Sequence, residues 1–154
     1  LELRQLIKLF FLSLGLLLIS VNIYAFNLVG VWKLTAIDRQ TSEKIWATDT
    51  NCFKPTGLII YTASGYMSAG VNCMNPKSFN QPSFSPGNIT FYMGKYIVKH
   101  HKVIHISENA SNQDNYQKQE VREFHVLNKH KFMLIIKNKD DSLERLTWEK
   151  VAVN

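Results

Sequence analysis

Simple strand arithmetic brings three side chains with chemistry to offer onto one face of this chain: Tyr96, His105 and Arg122. A tight turn at Lys99-His100-His101-Lys102 sets Tyr96 beside His105, with Val98 and Val103 on the same side. A second turn at Asn128-Lys129-His130 puts Arg122, Phe124 and Val126 on the face shared by Phe132, Leu134 and Ile136. That face is apolar enough to be an interior, and a cation there needs a carboxylate, an aromatic stack or a bound anion. In one reading Arg122 holds the acidic head of an amphipathic ligand, with His105 and Tyr96 beside it and Trp32, Met67 and Phe124 along the apolar part. In the other, Arg122 is satisfied within the protein, by Glu120 or Glu144 or by stacking on Trp32 or Trp148.

Other chemistries find less support. His100, His101 and His105 invite a metal, but strand residues four apart stand ~13 Å from each other, too far for one ion. No Gly-rich phosphate loop and no carboxylate pair placed for acid and base work occurs, so no cofactor is expected. Ser64 and Ser68 lack the Gly-x-Ser-x-Gly setting of an activated nucleophile. His105, acting with Tyr96 or Arg122 as general acid and base on a held ligand, would make a cofactor-free isomerase or cyclase. No residue is assigned a catalytic role, and the residue set favours binding over catalysis.

The elements that must position these residues are strands. Gly30-Val31-Trp32 opens an alternating run, Leu146-Thr147-Trp148-Glu149-Lys150-Val151 closes the last one, and no window between them sustains a helical period. Strands are predicted near 28–38, 43–47, 57–62, 66–71, 90–98, 103–108, 117–127, 131–138 and 143–151. A sheet whose first and last strands meet is a closed barrel, so the fold class is all-β: a single antiparallel barrel of about eight or nine strands, filled by side chains or holding one ligand. Between Asn72 and Asn88, Pro76, Pro82 and Pro86 interrupt any ladder and carry Phe79 and Phe84, a loop that lies across the barrel mouth or along its outside. A second connection, Ser107 to Asn115, is polar apart from Ala110.

Residues 1–25 read as a signal peptide, with Arg4 and Lys8 before the apolar run Leu9–Ile19 and Ala25 as a small residue for cleavage. The run is short for a membrane span, which needs ~20 apolar residues, although a retained anchor is the alternative. The barrel domain is then 26–154, periplasmic or secreted, with no integral membrane span after cleavage. Loss of Arg4, Lys8 and Glu2 lowers the net charge of +6 by one, and the remaining lysines are scattered, which argues against nucleic acid as a partner. Cys52 and Cys73 fall near opposition if Thr62-Ala63-Ser64-Gly65 is a hairpin turn, so a disulfide is expected, worth about 3 kcal/mol.

The strings Leu28-Val29-Gly30-Val31-Trp32-Lys33-Leu34, Pro55-Thr56-Gly57-Leu58-Ile59-Ile60-Tyr61-Thr62, Val121-Arg122-Glu123-Phe124 and Trp148-Glu149-Lys150-Val151 resemble the bacterial and fungal lipocalin-like domain family over nearly all of the mature chain. The resemblance implies a calycin-type barrel with a tryptophan and basic residue pair that locks it, and implies little about activity. Met74-Asn75-Pro76 stands where the family usually has an Arg-Pro segment, and Lys150 where it usually has Arg. The expectation is an exported protein, monomer or weak dimer, that binds a small hydrophobic or amphipathic ligand, an acidic one included. Its ligand-binding residues would be Trp32, Met67, Tyr96, His105, Arg122, Phe124 and Trp148. The alternatives are an interaction module with a filled barrel and the isomerase built on His105.

Overall fold

A computed structural model describes residues 26–50, 52, 54–73 and 89–152; the leader and the segment holding Phe79 and Phe84 lie outside the described residues. The strands are β1 (Gly30–Gln40), β2 (Trp46–Thr48), β3 (Thr56–Tyr61), β4 (Tyr66–Asn72), β5 (Ile89–Lys99), β6 (Lys102–Ala110), β7 (Gln119–Asn128), β8 (Lys131–Lys137) and β9 (Leu143–Lys150). All pairings are antiparallel between neighbours, and β1 pairs with β9, so β1 and β3 to β9 form a closed eight-stranded barrel. The short β2 is the extra strand, folded back onto Asp38–Gln40 where β3 no longer follows β1. No helix among the described residues is long and apolar enough to cross a membrane.

The inward set follows the period of two, with one break. Trp32 and Leu34 of β1 point inward, and the next buried residue is Ile37, not Ala36. A bulge between Leu34 and Ala36 against β9 adds one residue and shifts the parity. The shift places Asp38 and Arg39 opposite Arg145 and Glu144 at the seam, where Arg145 donates to Asp38 at 2.8 Å and Arg39 to Glu144 at 2.5 Å.

One end of the barrel is closed by aromatic rings. Trp32 meets Phe132 edge-on at 4.7 Å between centroids, and Phe26 and Phe124 pack on the same pair. The Trp32 indole donates to the Leu28 carbonyl at 2.8 Å, and the Lys150 ammonium sits 5.2 Å from the Trp32 ring centroid. Lys150, and not Arg122, is therefore the basic partner of the locking tryptophan.

Several local expectations are corrected. β2 begins at Trp46, because Thr41–Ile45 forms a turn with Lys44 at positive φ. Ser107–Ala110 belongs to β6 and not to a loop; Ser111 N–H then bonds to the Phe91 carbonyl to start the turn. Val98 and Val126 are 46% exposed, outside the core. β5 beyond Lys95 has no β4 residue opposite it, and β7 beyond Glu123 has no β6 residue, so both strands run past the barrel end.

Cys52 and Cys73 form the expected disulfide, with Cα atoms 4.7 Å apart, tying the β2–β3 connection to the end of β4. This bond points to an oxidising, non-cytoplasmic compartment. Packing is tight at Gly94, where a Cβ would lie 2.0 Å from the Ile106 carbonyl oxygen beside the β5–β6 bulge. Because that neighbour is backbone, it cannot yield. Gly94→Ala is expected to lower stability by about 2 kcal/mol or more in urea titration, whereas Gly65→Ala, with open space around its Cβ, should suffer only from its positive φ.

Candidate functional site

At mid-height the barrel carries a buried polar layer drawn from four strands. Tyr61 ends β3, Tyr92 lies on β5, His105 on β6 and Arg122 on β7, each an inward position of its strand. His105 is 1% exposed, with the Tyr61 hydroxyl 2.8 Å from Nε2 and the Tyr92 hydroxyl 2.8 Å from Nδ1. Arg122 adds Nε toward Nδ1 at 3.4 Å and Nη2 toward the Tyr92 oxygen at 3.4 Å. A guanidinium only donates, so Nδ1 is the acceptor and the ring proton sits on Nε2, which donates to Tyr61. Tyr92 accepts from Arg122 and donates to Nδ1. Arg122 also forms a close ion pair with Glu120, two residues earlier and half-buried.

The electrostatics follow from burial. Desolvation holds the His105 pKa well below its ordinary value, and the Arg122 charge pushes the same way. Burial raises Tyr61 and Tyr92, opposed in part by Arg122. For Arg122 burial works against the charge, but Tyr92 and Glu120 outweigh it and the pKa is raised. The layer therefore holds one neutral imidazole, two neutral phenols and one paired cation at neutral pH.

On the side away from the aromatic plug lies a cavity of about 200 Å³. Its wall is mostly apolar, with Ile37, Ile59, Val71, Leu134, Leu146 and Trp148, and its floor meets the polar layer at Tyr92 and Arg122. Thr90, Arg122, Ile136 and Glu144 also border a wider outer mouth of about 760 Å³. The disulfide contributes Cys73 to the wall.

Of the residues singled out from sequence, Arg122 and Trp148 line this cavity, and His105 is linked to it through Tyr92. Trp32 and Phe124 belong to the aromatic plug, and Met67 is buried in the core. Tyr96 pairs in register with His105 as the turn spacing predicts, but its hydroxyl donates to the Thr62 carbonyl at 2.8 Å and its ring packs on Tyr61. Sequence reasoning missed Tyr61 and Tyr92. The signal was available in strand parity, since Tyr61 follows Ile59 by two and Tyr92 precedes Gly94 and Tyr96 by two and four.

The barrel, its Trp32 lock and its strand order define the class, and the sequence comparison names it: the chain belongs to the lipocalin-like domain family, whose model matches residues 29–151. Among curated proteins no sequence matches. Similar solved structures include an uncharacterized protein from Bacteroides eggerthii DSM 20697 (TM-score 0.46, 14% identity, covering 81% of this chain and 100% of that one). A redesigned beta barrel is also similar (TM-score 0.45, 11% identity, covering 81% of this chain and 92% of that one).

Two outcomes follow from the polar layer. His105 is neutral in the folded barrel but takes a proton near pH 6.5 once unfolded, so the unfolded chain binds more protons below that pH. The stability due to neutral burial is complete above pH 6.5 and is lost as pH falls toward the depressed folded pKa. Unfolding free energies from urea titrations between pH 7 and pH 5 should fall, by up to about 1.4 kcal/mol per pH unit, and His105→Gln should flatten that slope. Separately, Glu120→Ala strands a buried guanidinium and should cost about 3 kcal/mol, while Lys139→Ala, which breaks the exposed pair with Asp114, should leave the midpoint unchanged.

Proposed function

We propose that this lipocalin-like barrel is exported, to the periplasm or outside the cell, and binds a small hydrophobic or amphipathic molecule in the cavity above its polar layer. The observation that carries this reading is the apolar cavity of about 200 Å³, bordered by Arg122 and Tyr92 and opening toward the outer mouth. A barrel acting only through its loops has no need of an unfilled apolar interior, which costs stability in proportion to its volume. The disulfide supports export, and Cys73 makes the covalent tie part of the cavity wall.

The geometry supports binding over catalysis. Both ring nitrogens of His105 are engaged by tyrosines within the barrel, so no free imidazole base faces the cavity. Arg122 has its charge balanced by Glu120, which supports the reading in which the cation is satisfied internally.

Native mass spectrometry of the full chain, purified from an exporting host, tests the proposal. The expected result is loss of residues 1–25, an intact disulfide and a stoichiometric small-molecule adduct, either co-purified or formed on adding small apolar compounds. A clean apo mass that ignores a panel of such compounds and of fatty acids would overturn the container reading.

A further inference from the structure

Lysines that lie scattered along the sequence are gathered by the fold. Two hairpin tips stand at the aromatic-plug end of the barrel, Lys99-His100-His101-Lys102 between β5 and β6 and Asn128-Lys129-His130-Lys131 between β7 and β8, and neither carries a carboxylate. Lys150, at the end of β9, lies at the same end, over Trp32. The turn Thr62 to Gly65, also at this end, is uncharged. Glu123 and Glu149 are the carboxylates of the adjoining strand ends; Glu149 pairs with Lys131 at 2.6 Å, and Glu123 stands 3.7 Å from His125. Lys99, Lys102 and Lys129 are exposed and form no ion pair among the described residues. At the opposite end, by contrast, charges meet in pairs: Lys139 with Asp114 at 2.9 Å, Lys137 with Asp141 at 2.7 Å and Arg39 with Glu144 at 2.5 Å.

Apolar side chains are exposed among the unpaired lysines. Val98 and Val126 stand in register with the buried Val103 and Phe132, yet each is 46% exposed, because β5 runs on past β4 and β7 past β6. Leu127, next to Val126, is 49% exposed. Aliphatic residues set among lysines suit the headgroup region of a bilayer, where the aliphatic groups leave water while the ammonium groups meet phosphate. A single-stranded nucleic acid would instead call for aromatic rings on which bases stack. The course of the chain agrees with lipid. It enters the barrel at Phe26, which packs on Trp32, Phe124 and Phe132 in the plug. The apolar run Leu9–Ile19 thus joins the molecule at this end, so a chain led to a membrane by that run arrives with this end first and not with the cavity mouth.

We propose that the plug end of the barrel docks on the anionic phospholipid headgroups of a bilayer. Lys99, Lys102 and Lys129 meet the phosphates, and Val98, Val126 and Leu127 enter the apolar boundary beneath them. The cavity mouth, at the other end, then faces the water. This surface is separate from the cavity and does not depend on what the cavity holds.

Co-sedimentation of the disulfide-bonded full chain with vesicles tests the proposal, using phosphatidylcholine alone and phosphatidylcholine mixed with phosphatidylglycerol. The charged vesicles are expected to bind about a hundredfold more tightly, from about 1 kcal/mol for each of three lysines, and to lose that advantage in high salt. Lys99→Gln, Lys102→Gln and Lys129→Gln together should bring the affinity down to that for neutral vesicles. Lys118→Gln, Lys137→Gln and Lys139→Gln, an equal change of net charge at the opposite end, should leave it within about twofold. Val98→Ser with Leu127→Ser should weaken binding to charged vesicles about tenfold at unchanged charge.

Urea titration shows which variants are folded, and if the serine pair is not, the two lysine triples decide. Equal binding to neutral and charged vesicles, an equal loss in both lysine triples, a folded serine pair that binds as the wild type does, or no binding at all overturns the docking inference and leaves the container reading standing. A short DNA that binds through the same lysines more tightly than the charged vesicles also overturns it, and assigns this end to nucleic acid.

Discussion

Everything in this molecule depends on the register in which its first and last strands meet. β1 and β9 pair with Trp32 opposite Lys150 at one end and with Asp38 and Arg39 opposite Arg145 and Glu144 at the other. The order of these charges guards the alignment. A slip of one residue in either direction would set Asp38 against Glu144 or Arg39 against Arg145, like charges directly opposed. The same slip would turn the inward side chains of one strand to solvent. The bulge at Leu34–Ala36 lets this seam coexist with a core built from Trp32, Leu34 and Ile37. Without it Asp38 would take the inward parity that Ile37 and Arg39 hold.

Once the barrel is closed, its interior is divided by chemistry. Below mid-height, interlocking rings leave no space around Trp32 and Phe132, which are both fully buried. At mid-height the Tyr61, His105, Tyr92 and Arg122 layer can stand in such an environment only because each member answers another. Above it, aliphatic side chains from β1, β3, β4, β8 and β9 line the cavity without meeting across it. The polar layer acts as a floor, its hydrogen bonds linking side chains from four strands. The cavity of this barrel is therefore bounded by the part of its core that is least apolar.

The closed barrel was legible because its signals are local. Alternation, glycine turns and the opening and closing tryptophans each act within a few residues, and the Cys52–Cys73 pairing follows from one hairpin. The candidate site was only half legible. Arg122, His105 and Trp148 stand out by type, and the hairpin turns place Tyr96 opposite His105 correctly. What no turn spacing reveals is how far each strand extends beyond its neighbour. That stagger sends Val98 and Val126 out of the core and leaves Tyr96 at the rim. It also brings Tyr61 and Tyr92, from strands not adjacent to each other, onto the same imidazole. The partner of Arg122 likewise depended on depth in the barrel: Glu120 was within reach, while Glu144 was taken by Arg39 across the seam.

The stagger that carries β5 past β4 has a consequence for how the molecule behaves in a crowd. A closed barrel has almost no free strand edge, yet Ile97 and Val98 lie on such a protrusion, and both are exposed. An apolar strand end of that sort is a template on which another chain could add itself. Here it is short, and it terminates in Lys99-His100-His101-Lys102, with Lys95 behind it. Any second copy approaching edge to edge would bring the same lysines against them. The lysines of the hairpin tip thus flank an exposed apolar strand end at one of the few places where the closed topology leaves an edge.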